Sequence, residues 1–513
     1  MILEGISAVL LDPSCIIWVF IGTVVGIIFG CIPGLTATMA IAMFLPVTYN
    51  MASTQGISVL TALYIGGISG GLISAILLNI PGTPASIATC LDGRPMALKG
   101  EAGKALGVGI VFSFLGTIIS LLALILISPP LAEIAIKFGP FEYFSITIFS
   151  LTLIITLSSK NVVKGLMTGV LGLVFATVGM APIDSVQRYT FGNPALKSGF
   201  DILTVLVGVF AISEILLAAE TSRSGIKKDV SAITDFKIKG FGFSIKEFTS
   251  QFVNMIRSAA IGIGLGILPG IGSGTSNMLS YSIAQNQSKH PEKFGTGIID
   301  GVVASETANN ATIGGTIIPL LTLGIPGDST SALLLGALIM KGVQPGPLIF
   351  QQNGQVVYAI YAAMALSSLF MLIVMFIGMK GFVRILKIPS HLLLPLVFVL
   401  CTVGAFGINN RLFDCYALIF FGFVGYLLQK GDYPMPPLIL GFVLGSIMEL
   451  NLRRALSYSQ GDITEFFTRP MSCAFLVLAA LSLAINIYGI YKSRKKKKPS
   501  LQPNFSAQQT HTI

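Results

Sequence analysis

The chain has 513 residues, of which 53% are hydrophobic and only 11% charged, and its mean hydropathy of +0.84 excludes an ordinary soluble domain. Much of the net charge of +10 is local: Lys492, Arg494 and Lys495 to Lys498 directly follow the last apolar segment, a position that sets membrane orientation and touches anionic lipid rather than nucleic acid. Six cysteines without CxxC spacing and three widely separated histidines give no support to disulfide, metal or hydrolase chemistry, so no catalytic residue is assigned and no enzyme is expected.

At roughly 20 apolar residues per crossing, the long runs predict an all-α polytopic membrane protein with about ten to twelve transmembrane or re-entrant helices. The first run is preceded by Glu4 and Asp12 rather than a basic segment, so no cleavable leader is read there. GIIFGCIPG follows at residues 26 to 34, ending on Pro33 and Gly34, with Thr36 and Thr38 just beyond. A second interruption, NIPGTPAS, starts at Asn79 and brings Pro81, Gly82 and Thr83. Apolar segments near 105–127, 141–157, 163–180 and 201–219 complete a first membrane half, 1–219. Residues 220–250 form a basic linker carrying Arg223, Lys227, Lys228, Lys237, Lys239 and Lys246.

The same signatures then return. GIGLGILPG at 262 to 270 repeats the first at an offset of 236, with Pro269 and Gly270 followed by Ser273, Thr275, Ser276 and Asn277. GVVASETANNATIGG supplies Glu306, Asn309 and Asn310, and GIPGDSTS, starting at Gly324, repeats the second interruption at an offset of 245 with Pro326, Gly327, Asp328, Ser329 and Thr330. The second membrane half is 251–491 and the basic tail 492–513.

Placing the tail in the cytoplasm puts the linker and Arg94, Lys99 and Lys104 on that side. The loop after Lys341-Gly342 then falls outside, whereas its counterpart after Lys99-Gly100 falls inside, so the internal repeat is expected to be inverted. The 452–470 loop is the exception, because Arg453, Arg454 and Arg469 outnumber Asp462 and Glu465 on the outer face.

A Pro-Gly pair inside hydrocarbon frees backbone groups that lipid cannot satisfy, so it persists only where protein, water or a ligand does so. A helix restarting after such a break offers amide donors and the positive end of its dipole, which suits an anion. The Pro-Gly residues and the small polar side chains after them are therefore the candidate substrate-binding set, although Ser, Thr and Gly also serve plain helix packing. Glu306, Asn309, Asn310 and Asp328 are the candidate ion-coupling set, since an intramembrane carboxylate needs a cation, donors or a proton; Asp328 also stands where a helix N-cap would. No cofactor or resident metal is expected beyond Na⁺ or H⁺ as coupling ion. Arg94, Lys99 and Lys341 sit at segment ends, where basic side chains commonly snorkel.

GCIPGLTATMAIAMFLPVTYNM, NIPGTPAS with DGRPMALKG after it, GILPGIGSG, and the stretch from GVVASETANNATIGG to GVQPGP together resemble the large membrane subunit of the tripartite tricarboxylate transporters. The resemblance follows nearly the whole chain in length and order and is strongest between about 26 and 350. It implies a secondary transporter of the bacterial cytoplasmic membrane, importing citrate or related carboxylates on an ion gradient, with Na⁺ the expected ion; the basic tail sets the C-terminus on the cytoplasmic side. It also implies two partners, a small membrane subunit of about four helices and a periplasmic substrate-binding protein. An autonomous ion-coupled symporter for another solute is the alternative.

Overall fold

The computed structural model describes residues 2–157, 162–223, 240–385 and 390–496. Lys160, Lys387, most of the basic linker and the end of the tail lie outside the described residues. In the first half the helices are α1 (Ile2–Leu10), α2 (Pro13–Cys31), α3 (Ala37–Phe44), α4 (Ser53–Leu78), α5 (Ile87–Met96), α6 (Ala102–Ala135), α7 (Pro140–Leu157), α8 (Val162–Ala176), α9 (Ile202–Val207) and α10 (Ser213–Arg223). After the linker come α11 (Ile245–Ser250), α12 (Phe252–Ile267), α13 (Gly272–Gln287), α14 (Ile299–Leu323), α15 (Ser329–Met340), α16 (Ile349–Gln352) and α17 (Gly354–Ile385). The chain closes with α18 (Ser390–Asn409), α19 (Leu412–Lys430), α20 (Met435–Tyr458), α21 (Glu465–Thr468) and α22 (Pro470–Lys496). The only strand pairing among the described residues is Gly179–Met180 against Gln187–Arg188.

The fold is all-α and polytopic. Among the described residues seven segments are long and apolar enough to cross a membrane, and six shorter apolar helices accompany them. Local chemistry sets their ends. Asp12 caps α2 by accepting from the Ser14 amide at 2.9 Å, with Pro13 in the first turn, where its missing N–H costs nothing. α4 and α14 each end on a left-handed residue, Asn79 (φ 57°) and Gly324 (φ 71°), which are counterparts at the 245 offset.

The Pro-Gly signatures interrupt helices as expected: one break separates α2 from α3 and its counterpart separates α12 from α13, while the second pair separates α4 from α5 and α14 from α15. Around them α2 packs on α4 and α12 on α14 through glycine seams. Any side chain at Gly26 or Gly30 would collide with the carbonyl oxygens of Leu63 or Gly67, and one at Gly262 or Gly266 with those of Ala308 or Thr312. Backbones approach this closely only where both faces are small.

Two basic residues expected to snorkel do more than that. Lys341 Nζ donates to the carbonyls of Thr48 (2.5 Å), Tyr49 (3.0 Å) and Met51 (2.7 Å), and Arg94 donates to the Leu77 carbonyl near the end of α4. They satisfy acceptors that helix ends leave open. The arginine excess of the 452–470 region is also largely neutralised: Arg453 pairs with Asp184 and Glu449, and Arg469 pairs with Glu465 and lies over the Phe141 ring. Asp184 and Glu449 come from other segments, which a count over one loop omits.

Candidate functional site

All four helix restarts converge on one cavity of about 730 Å³. Thr36 and Thr38 reach it from α3, Thr83 from the turn before α5, Gly270, Ser273 and Thr275 from the α12–α13 break, and Asp328, Ser329 and Thr330 from the start of α15. The clusters are bonded across the halves. Thr38 and Thr330 share a hydrogen bond between hydroxyls at 2.9 Å and the Ala88 amide donates to Asn277 Oδ1 at 2.7 Å, while within the second half the Gly270 amide donates to the Gly327 carbonyl at 2.6 Å.

Each restart shows its own local chemistry. Thr36 Oγ1 accepts from the Met39 amide at 3.1 Å, which fixes the first turn of α3. Asp328 and Ser331 form a reciprocal capping pair: Asp328 Oδ1 accepts from the Ser331 amide at 2.7 Å, and the Asp328 amide donates to Ser331 Oγ at 2.9 Å. The second Asp328 oxygen accepts from the Tyr64 hydroxyl of α4 at 2.6 Å, and Tyr64 also meets Thr316 at 3.1 Å. At the restart before α5 the Thr83 hydroxyl is buried, lines the cavity and has no hydrogen-bond partner among the described residues. A buried polar atom without a partner costs free energy, so it marks a position that a ligand or water fills.

The remaining candidate residues stand behind this wall rather than on it. Pro33, Gly34, Pro81, Gly82, Pro269, Pro326 and Gly327 shape the breaks without lining the cavity. Gly34 and Gly270 both adopt left-handed backbone, with φ of 90° and 77°, so a side chain at either is strained. Ser276 bonds Thr312 at 2.6 Å, and Asn277 Nδ2 donates to the Ser305 carbonyl at 3.2 Å, which places both in the α13–α14 contact.

Glu306 lies fully buried in mid-α14 and is not a lining residue. One carboxylate oxygen accepts from Thr89 of α5 at 2.5 Å; the other accepts from Ser113 of α6 at 2.9 Å and from Asn309 Nδ2 at 3.3 Å. Asn309 Nδ2 also donates to the Ala85 carbonyl at 2.8 Å, and Ala85 lines the cavity. Asn310 donates to Asn309 Oδ1 and accepts from Ser69 at 2.6 Å. The three residues thus form one network of neutral donors around a carboxylate, linked to the cavity wall through one carbonyl.

The opposite wall was not read from the sequence. It is built by Phe210 and Glu214 around the start of α10, by Gln429 and Tyr433 at the α19–α20 turn, and by Met435 and Pro436 of α20. Glu214 had a legible signal, the one carboxylate in the apolar stretch after Asp201. Gln429 and Tyr433 had none. Among the described residues no Lys, Arg or His lines the cavity, whereas two carboxylates do.

The family described as "Tripartite tricarboxylate transporter TctA family" matches residues 16–440. The chain is 37% identical over 490 residues to an "Uncharacterized 52.8 kDa protein in TAR-I ttuC' 3'region" of Agrobacterium vitis, covering 95% of this chain and 96% of that protein. It is 38% identical over 231 residues to an "Uncharacterized protein in TAR-II ttuC' 3'region" of the same organism, covering 45% of this chain and 96% of that one. No solved structure matches.

Proposed function

The chain belongs to the tripartite tricarboxylate transporter TctA family, and from that premise we propose that it is the large transmembrane subunit of a binding-protein-dependent importer of citrate or related carboxylates. The observation that carries the substrate site is the convergence of four helix restarts on one cavity with an unpartnered buried hydroxyl, Thr83. Its volume of about 730 Å³ suits a small organic acid with accompanying water. In this reading the carboxylates of the substrate accept from the amides and hydroxyls of α3, α13 and α15. Transport is secondary, driven by Na⁺ or H⁺, and Glu306 with Asn309, Asn310 and Asp328 supports the coupling ion. The two halves are inverted relative to each other, and the protein resides in the bacterial cytoplasmic membrane with its C-terminus inside. A small membrane subunit and a periplasmic binding protein complete the system. Lacking a fixed cation, the cavity has modest affinity, and the binding protein compensates by raising local substrate concentration and favouring the outward-open state.

Reconstitution tests this. The full chain with both partners in proteoliposomes should take up a carboxylate saturably under an imposed Na⁺ gradient, faster with loaded binding protein than with the chain alone. Equal rates with and without both partners would favour the autonomous symporter. Single cysteines near Glu101 and Gln344, in a background lacking the six native ones, should label from opposite sides; same-side labelling removes the inversion.

A further inference from the structure

A second cavity, of about 400 Å³, lies beyond the α14–α15 break. The two cavities are arranged along single helices. Met435 and Pro436 at the start of α20 line the first, and Val443 to Arg454 farther along α20 line the second. Likewise Ser329 and Thr330 at the start of α15 line the first, and Leu335 and Ile339 line the second. From Met435 to Arg454 a helix rises roughly 28 Å, about the thickness of the hydrocarbon core. At the break Gly324 lines the second cavity and Asp328 the first, with Ile325, Pro326 and Gly327 buried between them along the chain.

The charge in the two cavities is opposite. Among the described residues the first holds Asp328 and Glu214 and no cation, while the only charged residue lining the second is Arg454. Its neighbour Arg453 is committed to Asp184 and Glu449, but Arg454 has no ion-pair partner among the described residues. Tyr143, Gln344, Ser446 and Asn451 add polar groups to the same lining. Residues of the 342–348 loop, the end of α20 and the start of α7 gather there, all segments that the charge pattern assigns to the outer face.

We propose that this second cavity is an outer vestibule that binds the substrate carboxylate through Arg454 before the break opens to the first cavity. The inference rests on the transporter reading above and adds a binding site to it. A lone cation in a concave, partly apolar mouth raises the local concentration of an anion and its capture rate.

The test uses the full chain with its partners in vesicles and three labelled probes, citrate, succinate and benzoate, of which any that shows saturable uptake is carried forward. Arg454→Ala should raise KM by about tenfold, with Vmax within about twofold, Arg454→Glu should raise it further, and Arg454→Lys should recover most of the loss. In a cysteine-free background, the same carboxylate should slow labelling of a Gln344→Cys variant by an impermeant maleimide, and Arg454→Ala should abolish that protection. Unchanged KM in the Ala and Glu variants together with no protection overturns the vestibule while leaving the transporter reading intact. A KM effect present with phosphatidylglycerol but absent in phosphatidylcholine vesicles overturns it in favour of a lipid headgroup on Arg454. Uptake of none of the three probes defeats the transporter reading and the vestibule with it.

Discussion

In the first half Gly26 and Gly30 of α2 lie against Leu63 and Gly67 of α4; in the second, Gly262 and Gly266 of α12 lie against Ala308 and Thr312 of α14, each partner displaced by 245 positions. The side chains at the same displacement differ. Thr61, Tyr64, Ile65 and Thr83 stand where the second half has Glu306, Asn309, Asn310 and Asp328. Thr61 bonds the Ile57 carbonyl of its own helix at 2.8 Å, whereas Glu306 gathers donors from α5, α6 and α14. The backbone cradle is thus duplicated and the charge is not. A site that binds one anion can draw amides from both repeats, but a second buried carboxylate network would need its own counter-ion or proton.

The largest effect should come from the part the halves share. Gly30→Val and Gly266→Val should both fail to give monodisperse protein in detergent, because overpacking a backbone contact costs about 1–3 kcal/mol even where neighbours can yield, and carbonyl oxygens yield little. Tolerance of one variant but not the other, by size-exclusion profile and melting temperature, would break the structural equivalence of the seams.

Next comes the part they do not share. Glu306→Gln should lower ion-driven uptake by at least about tenfold or change its ion response, whereas Thr61→Val should leave uptake within about twofold, since removing one neutral helix-internal bond costs about 1 kcal/mol. Equal losses would mean that the asymmetry of charge has no functional weight.

Tyr64 sharpens the comparison because it joins the halves. Tyr64→Phe removes the bond to the Asp328 carboxylate, worth about 1.5–3 kcal/mol, and should reduce uptake several-fold while a Thr316→Val variant, which leaves that bond in place, has a smaller effect. Initial rates at saturating substrate would distinguish the two.

The smallest effect is at the joint between the halves, where Lys104 of α6 meets Glu247 of α11 at 2.5 Å. The hydrogen bond from Lys104, then the Ser244 amide, holds the Glu247 carboxyl down at about 2, below the ordinary carboxylate range. Its folded value is depressed, so the stabilisation is present above that ordinary range and is lost as pH falls from about 4.5 toward 2. The contribution of this pair to amide protection at Ser244 to Ser250 should therefore stay constant between about pH 6 and 8, and Lys104→Ala should reduce that protection by no more than the roughly 1 kcal/mol typical of a part-exposed pair.

The helical segments and their breaks were legible because hydropathy and Pro-Gly pairs act locally. Segments read near 105–127, 141–157 and 201–219 correspond to α6, α7 and the α9–α10 stretch. The clustering of Thr36, Thr38, Ser273, Thr275, Ser329 and Thr330 was legible only through the repeat, which tells that distant residues occupy equivalent places. The facing wall follows no repeat: Tyr433 and Gln429 reach the cavity because α19 and α20 turn there, a tertiary fact with no local signature. Tyr64 likewise reads as one aromatic in an apolar helix, and its role appears only when Asp328 is placed beside it. The partners of Arg453 were hidden for the same reason, as Asp184 lies 269 positions away.

The wall of Ile325, Pro326 and Gly327 also has an electrical consequence. With water standing in both cavities, the membrane potential drops mainly across those few residues instead of across the full bilayer, so the field there is several times steeper than in the surrounding lipid. A charge that passes the wall senses nearly the whole potential, about 2.3 kcal/mol per elementary charge per 100 mV. Currents recorded from vesicles on a supported membrane would then report the net charge carried past this wall in each cycle, and so test the proposed coupling of a cation to carboxylate uptake.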